Sequence, residues 1–245
     1  MPVRRPRSSS SSKGNELAFR EFVRLVVAGD VDAVSRRLAG TPQLAAAASR
    51  EGATRGGASS FFFTEIAHYL YEGDTALHMA AAAFQRPIVE LLVTRGADCR
   101  AVNRRGAQPL HYAADTNHWQ PDAQAATIDY LASVGADPNA ADRGGATPLH
   151  RAVRTRSLPA VRSLLNAGAN PRQPNESGST PLHLAVQTTG RGGAGSEHAR
   201  QQQAGIIALL LERGARATDR DGRGRTVRQS AISEWIRALL TESAR

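Results

Sequence analysis

The sequence predicts an all-α fold in which helix–turn–helix units stack in a row. The stretch from Gly145 to Val153 recurs closely at 178–186 and more loosely at 73–81, 106–114 and 224–231. The first glycines of these copies are 33, 39, 33 and 46 residues apart in chain order. Apolar residues make up 41% of the chain but aromatic residues only 5%, which favours thin helical layers packed through Ala, Leu and Val. Self-similarity at this period is typical of an array in which each unit buries its apolar face on the next.

Each residue of the repeated motif has a structural use. In the copy Thr147-Pro148-Leu149-His150, the threonine can cap a helix, the proline can occupy its first turn and the leucine can enter the core. This Thr-Pro-Leu-His-x-Ala pattern resembles the ankyrin repeat. The resemblance covers roughly residues 16–245 and implies an ankyrin-repeat solenoid with short β-hairpin fingers, capped at both ends. It also implies that the motif histidine bridges to backbone groups of the adjoining turn and that the array binds other proteins.

The repeat boundaries follow from the motif glycines. Residues 1–15 are Arg, Pro and Ser with few apolar residues, so a disordered basic tail is expected there. An ankyrin repeat domain then spans 16–245. It divides into an N-terminal capping repeat with an aromatic segment (16–72), four repeats (73–105, 106–144, 145–177 and 178–223) and a C-terminal cap (224–245). Repeats two and four carry inserts at 117–122 and 189–203, whose function the sequence leaves open.

The N-terminal capping repeat is predicted from helical spacing of apolar residues between Glu16 and Ala28, followed by Gly29 and a capping Asp30. The spaced residues are Leu17, Phe19, Phe22, Val23, Val26 and Val27. Residues 61–71 contain five of the twelve aromatic residues, and Ile66, Ala67 and Leu70 suggest a short helix there. A core role is favoured for this segment because large apolar residues are usually buried, but a binding role stays open.

The remaining repeats predict the same succession of elements. Second helices begin near residues such as Pro87, and the glycines at 96, 135, 168 and 214 end them as left-handed caps. Finger turns are expected to start at Asn103, Asp142, Asn175 and Asp221.

The formal net charge is +9, and nearly all of the basic side chains are arginines because Lys13 is the only lysine. Such a charge suits an acidic protein partner or nucleic acid, although a general bias toward Arg and Ala would also produce it. One cysteine, Cys99, excludes an internal disulfide framework and fits a reducing compartment. The expected location is cytoplasmic, with no membrane span, and the expected state is a monomer.

The sequence contains several patterns that could suggest catalysis or ligand binding. The motif histidines His78, His111, His150 and His183 could suggest metal, but equivalent residues of stacked helices lie about 8–10 Å apart, too far to share one ion. Gly190, Gly192 and Gly195 spell Gly-x-Gly-x-x-Gly without the strand that a dinucleotide site requires. No nucleophile, general base or acid pair is arranged for catalysis. The sequence therefore predicts a protein that is not an enzyme and needs no cofactor or metal.

The predicted function is protein–protein interaction through the concave face formed by finger tips and first helices. An acidic partner segment is favoured, and the alternative is binding of RNA or another polyanion by the arginine-rich surface and the N-terminal tail. Carried over from the family, the candidate partner-binding residues are Arg104, Arg105, Asp115, Thr116, Arg143, Arg154, Thr155, Glu176, Ser177, Gln187 and Thr188.

Overall fold

A computed structural model describes residues 9–54, 56–115, 120–187 and 196–242, with side chains from residue 14 to residue 241. Within these ranges the helices are α1 (Ser9–Ala28), α2 (Val31–Gly40), α3 (Ala76–Ala82), α4 (Arg86–Thr94), α5 (Pro109–Ala114), α6 (Pro121–Ser133), α7 (Pro148–Arg154), α8 (Leu158–Asn166), α9 (Pro181–Ala185), α10 (Glu197–Glu212), α11 (Val227–Ser230) and α12 (Glu234–Glu242). Two short strands, β1 (Phe62–Phe63) and β2 (His68–Tyr69), form one antiparallel pair.

The helices form two layers. The first helices α3, α5, α7 and α9 pack on one another in order, and the second helices α4, α6, α8 and α10 form the layer behind them. The motif leucines Leu77, Leu110, Leu149 and Leu182 are fully buried between the layers. One continuous apolar cluster runs from Phe19 in α1 to Leu240 in α12. The predicted all-α stack is confirmed.

The second helices end as predicted. Gly96, Gly135, Gly168 and Gly214 follow them with φ between 90° and 98°, in the left-handed region. Pro87 and Pro159 lie in the first turns of α4 and α8, where a missing amide hydrogen costs no helical bond.

The fingers are tight turns that bond to one another across repeats. In each finger the first side chain of the turn accepts hydrogen bonds from two backbone N–H groups at 2.8–3.1 Å; these side chains are Asn103, Asp142, Asn175 and Asp221. In the first finger, for example, Asn103 accepts from the N–H groups of Arg105 and Ala107. The N–H of Arg143 donates to the carbonyl of Arg105 (2.9 Å), and that of Glu176 to Gly144 (3.1 Å). Among the described finger residues these bonds between repeats form no strands, and the isolated bridge between Arg220 and Thr226 lies within the last finger.

The N-terminal repeat differs from expectation in two ways. Residues 9–15, assigned to the disordered tail, form the first turns of α1, and residues 1–8 lie outside the described ranges. Extending an existing helix costs less free energy than nucleating a new one, so the packed part of α1 supports these additional turns. Leu17, one of the apolar residues at helical spacing, is 59% exposed. The other apolar residues of that set are buried, and Asp30 caps α2 through Ala33 at 2.9 Å, as expected.

The helix suggested near Ile66 is wrong. Residues 62–69 form a hairpin, β1–β2, around one short 3-10 turn, Thr64–Ile66, and Ala67 closes it with φ of 46°. Ile66 and Leu70 enter the core, whereas Phe62 and Tyr69 are over a third exposed and pack ring to ring at 4.7 Å. One side of the 61–71 segment is therefore buried in the core, and the other side is exposed.

The C-terminal residues close the stack. Val227, Ala231, Ile236 and Leu240 of the α11–α12 region are buried, while Ile232 is 73% exposed. The N-terminal half of the fourth-repeat insert lies outside the described ranges, whereas residues 197–203 extend α10. No helix within the described ranges has the length and apolar character needed to cross a membrane.

Candidate interaction site

A cavity of about 240 Å³ lies where the hairpin β1–β2, the fingers of repeats one and two, and the helices α5 and α7 meet. Its charged lining residues are Arg105, Asp115, Asp142, Arg151 and Arg154, and its aromatic ones are His68, Tyr69, Tyr71 and Tyr112. Residues of first helices and of fingers therefore line one common cavity. The hairpin forms the groove's wall on the N-terminal side.

A buried carboxylate, Asp74, binds three residues that line this cavity. Asp74 is fully buried and accepts hydrogen bonds from the Tyr112 hydroxyl (2.8 Å), the Asn103 side-chain amide (2.8 Å) and the Tyr71 N–H (2.6 Å). Burial and the adjacent Asp74 carboxylate raise the pKa of Tyr112 well above 10, so its hydroxyl stays a donor. This network ties the hairpin to the first finger and to α5.

Arg151 forms ion pairs with two carboxylates that line the cavity. Its side chain is 10% exposed, and its Nη2 donates to Asp142 at 2.8 Å while Nη1 lies 3.4 Å from Asp115. Although burial alone would raise the pKa of the Asp142 carboxyl, the hydrogen bond and charge of Arg151 lower it. Arg151 thereby links a finger carboxylate of repeat two to the end of α5.

His68 lines the cavity as a neutral ring. Burial lowers the pKa of His68 below 6.5, and its Nδ1 donates to the Tyr69 carbonyl at 2.9 Å. Its ring packs on Tyr112 with centroids 4.6 Å apart. His68 therefore contributes shape and an aromatic face at neutral pH, without charge.

Three predicted arginines lie at the finger tips beside this cavity. Arg104 donates to the Ala53 carbonyl and lies over the Tyr71 ring at 5.8 Å, and Arg105 lies over the same ring at 5.0 Å. Arg143 is exposed at the next finger. Within the described ranges none of the three makes an ion pair.

The other predicted residues divide between engaged and exposed positions. Arg154 is paired with Asp115 at 3.0 Å, and the Thr155 hydroxyl bonds to the Arg151 carbonyl at 3.1 Å. Glu176, Ser177 and Gln187 are exposed further along the same face. Thr116 and Thr188 lie outside the described residues.

Sequence reasoning missed Arg151, Tyr112 and His68. The position after the motif histidine is occupied by Met79, Tyr112, Arg151 and Leu184 in the four repeats, and the first three of these side chains are buried. A tyrosine and an arginine at a position that is otherwise apolar were the available signal. His68 had no such signal, because its place depends on a hairpin that the sequence did not predict.

The motif histidines have the structural role that the resemblance implied. Nδ1 of His78 accepts the Thr75 N–H at 3.1 Å, so the ring proton is on Nε2, which donates to the Ala107 carbonyl at 3.0 Å. His111, His150 and His183 bond in the same way to Ala146, Ser179 and Arg225 of the following repeats. Within the described ranges no group of histidine, cysteine or acidic residues could hold a metal ion.

Cys99 is not an activated nucleophile in this structure. Burial raises the pKa of its thiol, and its Sγ donates weakly to the Val134 carbonyl at 3.6 Å. The Gly190–Gly195 pattern and the first three residues of the 117–122 insert lie outside the described residues.

Comparison with protein families gives two matches. A family model described as ankyrin repeats in three copies matches residues 23–142, and one described as ankyrin repeats in many copies matches residues 131–185. Together they cover about two thirds of the chain, including the hairpin and both fingers of the cavity. No curated protein matches this sequence. The matches agree with the repeated motif, the two helical layers and the histidine-bridged turns, and the chain belongs to the ankyrin repeat family.

Proposed function

We propose that this chain is a non-enzymatic binding module whose partner is an acidic segment of another protein, lying across the fingers of repeats one and two. Ankyrin repeats generally mediate protein–protein interaction, which supports the protein class of the partner. The single observation that carries the proposed chemistry is the group Arg104, Arg105 and Arg143. Arg104 is half-buried and Arg105 and Arg143 are exposed, and none of the three has an acidic partner among the described residues. Three such neighbouring cations are suited to carboxylates, which arginine binds with two parallel N–H bonds.

The construction of the groove supports recognition rather than catalysis. Asp74, Asp142 and Arg151 are each held by several hydrogen bonds from their own neighbours. Such groups are rigid and already satisfied, so they shape a surface without providing a free base or nucleophile. The remaining predicted residues, from Arg154 to Gln187, extend the proposed contact toward repeats three and four. We place the module in the cytoplasm as a monomer, in keeping with its single cysteine.

The proposal is tested with a fluorescent peptide of alternating Glu and Ser and with a single-stranded RNA of similar charge, by anisotropy. The triple variant Arg104→Glu, Arg105→Glu and Arg143→Glu is expected to abolish peptide binding, because it replaces attraction with repulsion at the contact. Circular dichroism checks that the triple variant is folded.

The matched control makes the same charge change on the second helices, with Arg36→Glu, Arg162→Glu and Arg200→Glu, three exposed positions on α2, α8 and α10. This control is expected to keep peptide affinity within about threefold, since exposed charges more than a Debye length of about 8–10 Å away are largely screened. Equal losses in both triple variants would mean that net charge alone binds the peptide, and the proposed site would be rejected. Tighter binding of the RNA, with an affinity that falls steeply with salt, would establish the polyanion alternative instead.

A further inference from the structure

We propose that the cavity beneath Arg105 receives one acidic side chain of the partner segment, whose carboxylate is bound by Arg105 and Arg154. This inference rests on the proposed function and adds to it a single anchoring position. Arg105 lies at the finger tip and Arg154 at the end of α7, so the two arginines line the cavity from different elements. The partner segment would lie over the fingers and place one side chain between them.

The size of the cavity favours a side chain over a free small molecule. Its volume of about 240 Å³ is below the roughly 300–1,000 Å³ usual for small-molecule pockets. The aromatic rings of Tyr69 and Tyr71 form one wall. They can pack against the methylene groups of a glutamate and exclude water, which strengthens ionic hydrogen bonds inside the cavity.

The charges favour a single negative group. Three arginines and two aspartates line the cavity, which leaves one positive charge in excess. Asp142 is occupied by Arg151 and by the N–H groups of Gly144 and Ala146, and Asp115 is occupied by Arg154 and Arg151. A carboxylate balances that excess charge. A doubly charged phosphate would exceed it beside two aspartates.

Arg154 is arranged to accept a second carboxylate. Its bonds to both Asp115 oxygens, at 3.0 and 3.1 Å, are made by Nη2 alone. The guanidinium group has further N–H donors, and its side chain is 63% exposed. Arg154 can therefore bind a ligand while it keeps Asp115, and Arg105 gives up no ion pair among the described residues to do the same.

The test uses a nine-residue peptide with Glu at five alternate positions and Ser between them, together with five versions that each carry one Glu→Gln change. We expect one of the five changes to weaken binding by about tenfold or more, since a hydrogen-bonded charge is worth roughly 1.5–3 kcal/mol. The other four are expected to change affinity by about threefold or less, as exposed ion pairs do.

Filling the cavity should remove this difference between positions. Ala146 lines the cavity, and the equivalent residues of the following repeats are Ser179 and Arg225, so the fold accepts larger side chains here. With Ala146→Leu, the five single changes are expected to become equivalent. Arg154→Gln should have the same effect without adding volume, and Ser179→Leu, at the matched position outside the cavity, should leave the wild-type pattern.

The outcomes separate the two proposals. If the peptide that carries all five glutamates does not bind the wild-type chain, the acidic-partner proposal is rejected, and the proposed anchoring position is rejected with it. Binding in which all five glutamates count equally overturns the anchor alone. A dominant glutamate that persists in both Ala146→Leu and Arg154→Gln overturns the cavity as its location.

Discussion

The motif histidines show how one neutral ring couples two repeats. His111 accepts the Gln108 N–H through Nδ1 at 3.1 Å and bonds the Ala146 carbonyl of the next repeat through Nε2 at 3.1 Å. Protonation would turn Nδ1 into a second donor facing an N–H group. Burial, reinforced by the charge of Arg151, lowers the pKa of His111 to about 4. The folded chain therefore requires this ring to be neutral.

The stability of the fold should decrease as the pH is lowered from 7.5 to 5.5, which is above the range in which carboxylates titrate. Because the pKa of His111 is lower in the folded than in the unfolded chain, the unfolded chain binds the proton first as the pH falls below 6.5. We expect the free energy of unfolding to drop by about 1 kcal/mol from this residue alone between pH 7.5 and 5.5. Urea unfolding at both pH values measures the drop, and His68, His78 and His150, whose pKa values are also lowered, add to it in the same direction.

The variant His111→Gln isolates this contribution. The fifth motif copy carries Gln229 at this position, and its side chain accepts the Thr226 N–H at 2.8 Å, so glutamine keeps the cap. The variant should lose about 1 kcal/mol at pH 7.5, the usual value of one hydrogen bond, and show a smaller drop on acidification. An unchanged pH dependence in His111→Gln would contradict the assignment.

The candidate site could be predicted only partly from residue types. Arg104, Arg105 and Arg143 were predicted as partner contacts because the positions of finger tips follow from the repeat register. Arg154 was also predicted as a partner contact, and its pairing with Asp115 was not foreseen, since only folding brings the end of α5 across to α7. Arg151 was missed because its neighbours Asp115 and Asp142 are 36 and 9 residues away in sequence, and only folding brings them together.

At the scale of elements, the fingers depend on backbone that approaches backbone. Gly145 has φ of 72°, and a Cβ added to it would lie 2.6 Å from the Glu176 nitrogen of the next finger. That nitrogen donates to the Gly144 carbonyl, so a Cβ at position 145 would collide with the donor of the hydrogen bond between the two fingers. A side chain here would separate repeats two and three at their tips.

Gly145→Ala should therefore cost more than an alanine in a left-handed position usually does. We expect a loss of about 3 kcal/mol, against about 1 kcal/mol for Gly96→Ala, whose φ is 90° but whose added Cβ meets nothing within 4 Å. Thermal and urea unfolding of the two variants give the comparison. Equal losses would show that conformational strain, and not the contact between fingers, limits the residue at 145.

The elements were predicted where the repeat sets a register or where apolar residues recur at helical spacing, and the hairpin was missed because it offers neither signal. Helix pairs, caps and finger turns recur at fixed offsets from the motif, so one copy supports the next. The hairpin β1–β2 has no second copy, and its short apolar run is compatible with helix or strand. Its strands form because Leu70 and Ile66 are buried against the stack, which is a tertiary contact that local sequence does not encode.

At the scale of the whole molecule, each repeat is stabilised mainly by its neighbours. The apolar cluster is continuous from α1 to α12, while each first helix has only five to seven residues in α3, α5, α7 and α9. Helices of that length do not persist alone in water, so packing between layers holds them. A defect in a central repeat therefore weakens two interfaces at once.

Leu149→Ala tests this coupling. Leu149 is fully buried in the middle repeat, and its truncation should lower the free energy of unfolding by roughly 2–5 kcal/mol through lost burial and a cavity. Leu184→Ala, a leucine only partly buried in the next first helix, should cost about 1 kcal/mol in proportion to its smaller buried area. Hydrogen exchange should show faster opening in α5 and α9 as well as α7 of Leu149→Ala, because both neighbours pack on α7. Faster exchange confined to α7 would mean that the repeats are stable independently of one another.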